Sequence, residues 1–451
     1  MALSASTPAR CSPVATGVPP GTAPRRWPLS AAAVTRSSTV TATATDLDRL
    51  RHALPRDLER SPQHYVVDGV TPAIAFAPTD GSEVASLVHA ADEVGLTVAP
   101  LGARTATALG RPLTRYDVAL DLRGLERVIE YVPDDLVVTV QAGVTLATLQ
   151  ATLREHGQYL PTDPSPGDEV TVGGLLASAR SGAWRGHLPA SRDLILGMAV
   201  ALPSGDLVHS GGRVVKNVTG FDMHRMHTGA LGALGVIVEA TFKLTPLPAV
   251  TRTLLLPAAN IEACGDLARR VWDASLAVRA ISLLGARAAD GAMLPPAPAV
   301  LVEVAGSPAS TERTLRELRA LAPSAGEAPV EAWARLRRLA AGPGAIVLRL
   351  GIPPAEVETT VAALERSGLA AWAHLASGVV IARGEVSASE IEALRTLAVE
   401  RGGHLQIEVA SAALREAVDP MGDQERLLVG ALKQQFDPRG TLNPGRWGAG
   451  L

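Results

Sequence analysis

The sequence predicts an α+β protein of two or three domains, and three observations carry that expectation. The chain has 451 residues, 47% of them hydrophobic, enough for a sizeable core and more than one domain usually holds. Between residues 66 and 244 short β-rich runs alternate with a few helical stretches. Beyond Pro246 and Pro248 charge rises and the helical period strengthens, as expected for a second α+β unit.

In the first unit Asp80 and Glu83 make a capping-box pair ahead of Val84, Leu87, Val88, Ala91 and Val94, which share one helical face, and Gly95 ends the run. A β-rich stretch at 97–100 follows, then a Gly/Ala/Thr loop and strands at 117–122 and 136–141. Thr145 caps a helix marked by Leu146, Leu149 and Leu153. Residues 194–202 and 207–210 flank Pro203-Ser204-Gly205-Asp206, a hairpin signature. In the second unit the periodicity gives helices near 310–322, 329–341, 354–367 and 387–401, with strands at 299–304, 345–350, 378–383 and 404–409. A last helix runs from Asp423 to Phe436, ahead of a turn-rich stretch at 437–445.

Composition excludes several classes of function. The 42 basic and 45 acidic residues leave a net charge of -3, which disfavours nucleic acid as a partner. Two cysteines, Cys11 and Cys264, cannot ligate an iron-sulfur cluster or frame a disulfide scaffold, and they fit a reducing, cytoplasmic setting. Apolar stretches such as 194–202 are shorter than the roughly 18–20 residues of a spanning helix, so no transmembrane segment is expected. Residues 1–45 lack Asp and Glu and read as a disordered tail or an over-extended start.

Three loops bear on chemistry. In Pro100-Leu101-Gly102-Ala103-Arg104-Thr105, small residues let backbone N–H groups converge on an anion, although a plain structural turn has the same composition. It is neither a Walker A loop nor a G-x-G-x-x-G fingerprint. The second loop is Leu160-Pro161-Thr162-Asp163-Pro164 followed by Thr171-Val172-Gly173-Gly174-Leu175. Free amides at the start of its helix are expected to meet a phosphate or the carbonyl edge of a ring. The third, with Gly229, Gly232 and Gly235, passes into a strand at Val236 and Ile237, either for close approach to a flat ligand or for flexibility. Two phosphate-type loops in one domain suggest a dinucleotide.

The order and spacing of several segments resemble the p-cresol methylhydroxylase and vanillyl-alcohol oxidase superfamily, and within it the FAD-binding subunits of bacterial glycolate oxidases. These are Gly102-Ala103-Arg104 with Leu109-Gly110-Arg111-Pro112, Thr171-Val172-Gly173-Gly174, Arg192-Asp193 with Leu196-Gly197, and Val215-Lys216-Asn217-Val218-Thr219-Gly220-Phe221-Asp222. Leu234-Gly235-Val236 and Leu432-Lys433-Gln434-Gln435 through Asn443-Pro444-Gly445-Arg446 complete the set. The resemblance implies a two-subdomain FAD-binding domain over 46–247, a smaller α+β cap or substrate domain over 248–415, and a C-terminal segment, 416–451, packing back on the FAD domain. It implies FAD extended between the subdomains, with its pyrophosphate at Leu101, Gly102, Ala103, Arg104 and Thr105. Thr171, Val172, Gly173 and Gly174 then lie near the flavin and linker, and Gly235, Val236 and Ile237 along the adenosine or flavin side. Thr162, Asp163, Ser178 and Asn443 complete the cofactor-binding set. Some relatives attach the flavin to a histidine of the first loop; Ala103 and Arg104 offer no such nucleophile, so the FAD is expected to be noncovalent. Where many relatives place an asparagine, this chain reads Ala177-Ser178-Ala179-Arg180.

A flavin that accepts a hydride needs a base and a cation from the protein. Arg192 and Lys216 are candidate cations; His224, His227 and His404 are candidate bases. Arg192 reads more readily as an ion-pair partner around Asp193, and Lys216 with Asn217 equally as the support of a turn. His224 and His227 lack a third ligand, so no metal site is expected. The related catalytic subunit carries His-x-Gly-Asp-Gly-Asn-x-His, whereas Gly402-Gly403-His404-Leu405-Gln406-Ile407-Glu408 holds a single histidine. The resemblance therefore implies an FAD-binding subunit that helps oxidise a short 2-hydroxy acid to the 2-oxo acid. Its partners would be a second flavoprotein subunit and an iron-sulfur subunit, through which it would reach the inner face of the membrane. The alternatives are a self-sufficient FAD-dependent 2-hydroxy acid or alcohol dehydrogenase or oxidase, and a scaffold subunit that keeps the fold without flavin.

Overall fold

A computed structural model describes residues 42–167, 169–213, 220–342, 344–418 and 423–448. Lys216 and Asn217 lie outside the described residues. The first helix, Ala44–His52, starts two residues ahead of the expected boundary at 46, because Thr43 and Asp46 close a capping box.

The first sheet has four strands in the order Glu59–Arg60, Ile74–Phe76, Val118–Asp121, Val98–Leu101, the last three parallel. Helix Gly81–Glu93 supplies the crossover. Asp80 caps it through the amides of Ser82 and Glu83, but Glu83 reaches back to the amide of Thr79 rather than to the cap residue. A second sheet of five antiparallel strands runs Val128–Val132, Val137–Gln141, Val236–Lys243, Ile195–Ala201, Leu207–Gly211. The predicted hairpin is its edge, with Ala201 opposite Leu207. Side-chain alternation divides this sheet between two cores. Ala199, Ala201, Val236 and Val238 pack with the first sheet, while Met198, Val200 and Ile237 pack under helices Leu146–Arg154 and Val172–Ser178.

Gln158–Tyr159 and Thr245–Pro246 pair on their own, and eight further strands form an antiparallel sheet with Gly326–Glu327, beside Val250–Pro257, at one edge and His404–Val409 at the other. Helices Ile261–Asp273, Pro308–Leu321, Val357–Arg366 and Ala388–Glu400 cover one face. The other face receives Ala286–Gly291, Ala332–Leu339 and, from the first unit, Ala183 and Trp184. Sequence periodicity misses strands Val278–Leu284 and Ala370–His374; the latter is Ala-rich, with a composition that does not favour β structure. After helix Asp423–Phe436 the chain returns to the first sheet: the amide of Val98 donates to Thr441 O at 2.7 Å, and that of Asn443 to Val98 O at 3.0 Å.

Candidate functional site

Strand Val98–Leu101 delivers the first loop against the start of helix Val172–Ser178. A Cβ on Gly102 would lie 2.2 Å from Thr171 Oγ1, so only glycine permits this approach. Arg104 adopts left-handed backbone at φ 61°, which turns neighbouring amides to one side. Among the described residues, the N–H groups of Gly102, Ala103, Arg104, Thr105 and Ala106 have no acceptor. Such a row of donors calls for an anion.

The second loop departs from expectation. The amide of Val172 donates to Val144 O at 2.8 Å, that of Gly173 to Ala142 O at 2.7 Å, and that of Gly174 to the cap Thr171 Oγ1 at 3.2 Å. These amides are satisfied by the neighbouring strand end and the cap, and are not free for a ligand. The glycines act sterically instead, since a Cβ on Gly173 would lie 3.0 Å from Ala142 Cβ. Val172 is core.

From the third loop, Leu231 O accepts from Asn443 Nδ2 at 2.7 Å, and a Cβ on Gly232 would meet the same Nδ2 at 3.2 Å. Gly235 packs on Val200, where a Cβ would come within 2.5 Å of Cγ1; Val236 and Ile237, rather than Gly235, line the cavity. The loops line three adjoining cavities that share wall residues. A narrow stretch of about 60 Å³ lies beside Gly173, Val236 and Ile237. Gly102, Thr171 and Leu231 are shared with a second cavity of about 90 Å³ along residues 101–107, Ser178 and Asn443. Ser178, Leu231 and Arg446 are shared in turn with a chamber of about 780 Å³ that His404 also lines. Buried Arg446 braces this junction, donating to Thr107 O at 2.8 Å, and burial pulls its pKa down to about 10.

Other expected site residues lie elsewhere. Arg192 projects to the surface, its side chain 59% exposed and 3.7 Å from Asp193. His224 and His227 are buried in a one-turn helix against Ser210 and Phe436. Among the described residues no group of three or more His, Cys, Asp or Glu is arranged to hold a metal ion. Thr162 and Asp163 are buried outside these cavities. Thr162 meets Ser191 Oγ, and Asp163 lines a small pocket with Trp333, Arg337 and His374. Burial pushes the Asp163 carboxyl up to about 7, so the folded state keeps a proton that the unfolded chain releases near 3.8. Stability from this group is therefore present at low pH and is lost as pH rises towards 7, a change of about 4 kcal/mol. Thermal melts of Asp163→Asn from pH 4 to 8 are expected to lack this decline and to exceed the wild type at pH 8.

The eight-stranded sheet turns a mostly apolar face towards the loop after Val172–Ser178, interrupted by Ser282, His374, Arg349, His404 and Gln406. His374 Nδ1 sits 2.7 Å from Ser282 Oγ, and burial holds its pKa at about 3. His404 packs its ring over Gly351; desolvation first, then the charges of Arg349 and Arg185, lower its pKa. Sequence reasoning missed Arg446 as a site residue, although it ends the motif Asn443-Pro444-Gly445-Arg446.

Residues 72–211 match the family described as FAD binding domain. The structure of p-cresol methylhydroxylase with substrate bound superposes at a TM-score of 0.70 and 15% identity, covering 90% of this chain and 98% of that one. The chain is an FAD-binding flavoprotein with the p-cresol methylhydroxylase-type fold. The flavoprotein is 29% identical over 356 residues to glycolate oxidase subunit GlcE of Escherichia coli (strain K12), covering 78% of this chain and 92% of GlcE. It is 25% identical over 425 residues to glycolate oxidase subunit GlcD of Bacillus subtilis (strain 168), covering 83% and 88%. This flavoprotein is an FAD-dependent oxidoreductase. The cavity along its first loop suits the cofactor: the unpaired amides match a diphosphate, and the glycine cradle at Gly102 leaves no room for a side chain. No helix among the described residues is long and apolar enough to cross a membrane.

Proposed function

We propose that the chain is the FAD-binding subunit of a glycolate-oxidase-like complex that oxidises a short 2-hydroxy acid to the 2-oxo acid. The observation that carries this is the run of unpartnered amides from Gly102 to Ala106 at the wall of a cavity that shares Ser178, Leu231 and Arg446 with a wider chamber. The amides would hold the FAD diphosphate, Val236 and Ile237 would line the adenosine end, and Ser178, Asn443 and Arg446 would mark the way into the chamber. FAD bound there supplies a two-electron acceptor. Noncovalent attachment follows from Ala103 and Arg104, which bear no nucleophile for the flavin.

The chain's own residues would handle the proton. A 2-hydroxy acid gives up its hydroxyl proton as its carbon gives up a hydride, and His404 at the chamber is a candidate to take it, since partial desolvation and the charges of Arg349 and Arg185 lower its pKa and favour the neutral imidazole. Arg349 on the same sheet face supplies positive charge that Arg192, out on the surface, does not. With two cysteines in the chain, an iron-sulfur relay belongs to a partner subunit, beside a second flavoprotein.

Co-purification from the native source, with flavin and iron counted and glycolate added under anaerobic conditions, tests this. The expected result is one FAD per copy of this chain, iron only in a co-purifying subunit, and bleaching of flavin absorbance by glycolate in the complex. A lone chain, flavin-loaded and fully active, would contradict the assignment to a complex.

A further inference from the structure

Arg180 joins the first loop to the edge of the eight-stranded sheet. It follows helix Val172–Ser178 after the left-handed Ala179, at φ 49°, and is 5% exposed. Its guanidinium donates in three directions: NH1 to Thr105 O at 2.8 Å, Nε to Glu408 Oε2 at 2.9 Å, and NH2 to Glu408 O at 3.3 Å. The other Glu408 oxygen lies 3.7 Å from Arg349 NH1, and Arg349 NH2 donates to Ser181 Oγ at 3.3 Å. The chain segment 180–181 and strands Ile346–Gly351 and His404–Val409 thus close a buried ring of polar contacts.

The edge strand is built for this contact. Val347 pairs with Val409 and Leu348 with Ile407, so Glu408 is the extra residue of a β-bulge. The bulge puts Ile407 and Val409 against opposite cores and frees both the carbonyl and the carboxylate of Glu408 for Arg180. A planar fork with donors on several edges can serve three acceptors at once, whereas a lysine ammonium at this position cannot span them. At the other end the Thr105–Ala106 peptide is planar, so its C=O and N–H point in opposite directions. Holding the carbonyl at Arg180 directs the Ala106 N–H away from it, and Ala106 lines the cavity along the first loop. A flipped peptide would turn a carbonyl dipole towards a diphosphate.

We propose that Arg180, clamped by Glu408, is a positioning residue that makes the first loop present amides rather than a carbonyl to the FAD diphosphate, tying FAD affinity to docking of the edge strand. This rests on the placement of FAD proposed above. The test measures FAD affinity by titration of the apoprotein, and apoprotein melting in parallel, for Arg180→Lys, Glu408→Gln, their double variant and Gly102→Val. In Arg180→Lys and Glu408→Gln the FAD Kd is expected to rise about tenfold or more; apoprotein melting is expected to stay near the wild type in Arg180→Lys, which keeps the ion pair, and to fall in Glu408→Gln, which leaves buried guanidinium groups uncompensated. The double variant should lose less than the product of the two single losses. Should Arg180→Lys fail to fold, Glu408→Gln carries the same comparison. If Gly102→Val loses FAD while Arg180→Lys and Glu408→Gln fold and keep the wild-type Kd, the positioning role is wrong and the placement of FAD stands. If Gly102→Val also keeps the wild-type Kd, the placement of FAD itself is wrong, and the positioning role falls with it.

Discussion

A Gly102→Val chain is expected to purify colourless. Its Cβ would stand 2.2 Å from Thr171 Oγ1, with Thr171 Cβ and Cγ2 at 3.2 Å behind it. Thr171 cannot simply turn away, because its Oγ1 caps the helix through the amide of Gly174. Either the cap is lost or the loop moves outward and its amides no longer line the cavity. Overpacking of this kind costs about 1–3 kcal/mol, so FAD affinity should fall by up to about a hundredfold. Flavin absorbance of the purified chain and an FAD titration read the effect. Unchanged affinity would mean that the contact between Gly102 and Thr171 does not shape the cofactor site.

The second large effect concerns the C-terminal return. Lys433 Nζ is buried and donates to Ala233 O at 2.8 Å, Leu442 O at 2.6 Å and Asp437 Oδ2 at 2.6 Å. Asp437, 1% exposed, accepts in turn from the amides of Thr441 and Leu442. This staple holds the turn that carries Asn443 to Leu231 O and Arg446 to Thr107 O. Lys433→Met removes the cation but leaves the Asp437 carboxylate buried, at a cost of about 3–5 kcal/mol. Denaturant unfolding of the apoprotein should show that loss, with weakened FAD binding beside it. A loss below about 1 kcal/mol would place the Lys433–Asp437 pair among contacts that the fold does not need.

Local signals in the sequence carry far. Asp80 and Thr145 announce their helices because capping is a matter of three or four residues, and Pro203-Ser204-Gly205-Asp206 announces the hairpin for the same reason. The first loop is legible because small residues are needed wherever backbone meets an anion. The second misleads: its glycines are read as freeing amides, but the acceptors that fill them, Val144 O and Ala142 O, come from elsewhere in the chain. Arg180 and Glu408 stand 228 residues apart, and neither has a neighbour in sequence that foretells the other. Their partnership depends on a bulge that only the pairing of two strands reveals. Arg192 misleads in the opposite way, because a basic residue in a matched segment looks functional until its exposure is known.

Hydrogen exchange at the amides of Gly102, Ala103, Arg104, Thr105 and Ala106, compared between apoprotein and FAD-loaded protein, bears most directly on the claim that this loop holds the cofactor. Lacking acceptors, these five should exchange rapidly in the apoprotein and become strongly protected once FAD is bound, while the amides of Val172, Gly173 and Gly174 are slow in both. Equal, rapid exchange at the five amides with FAD fully bound would contradict it.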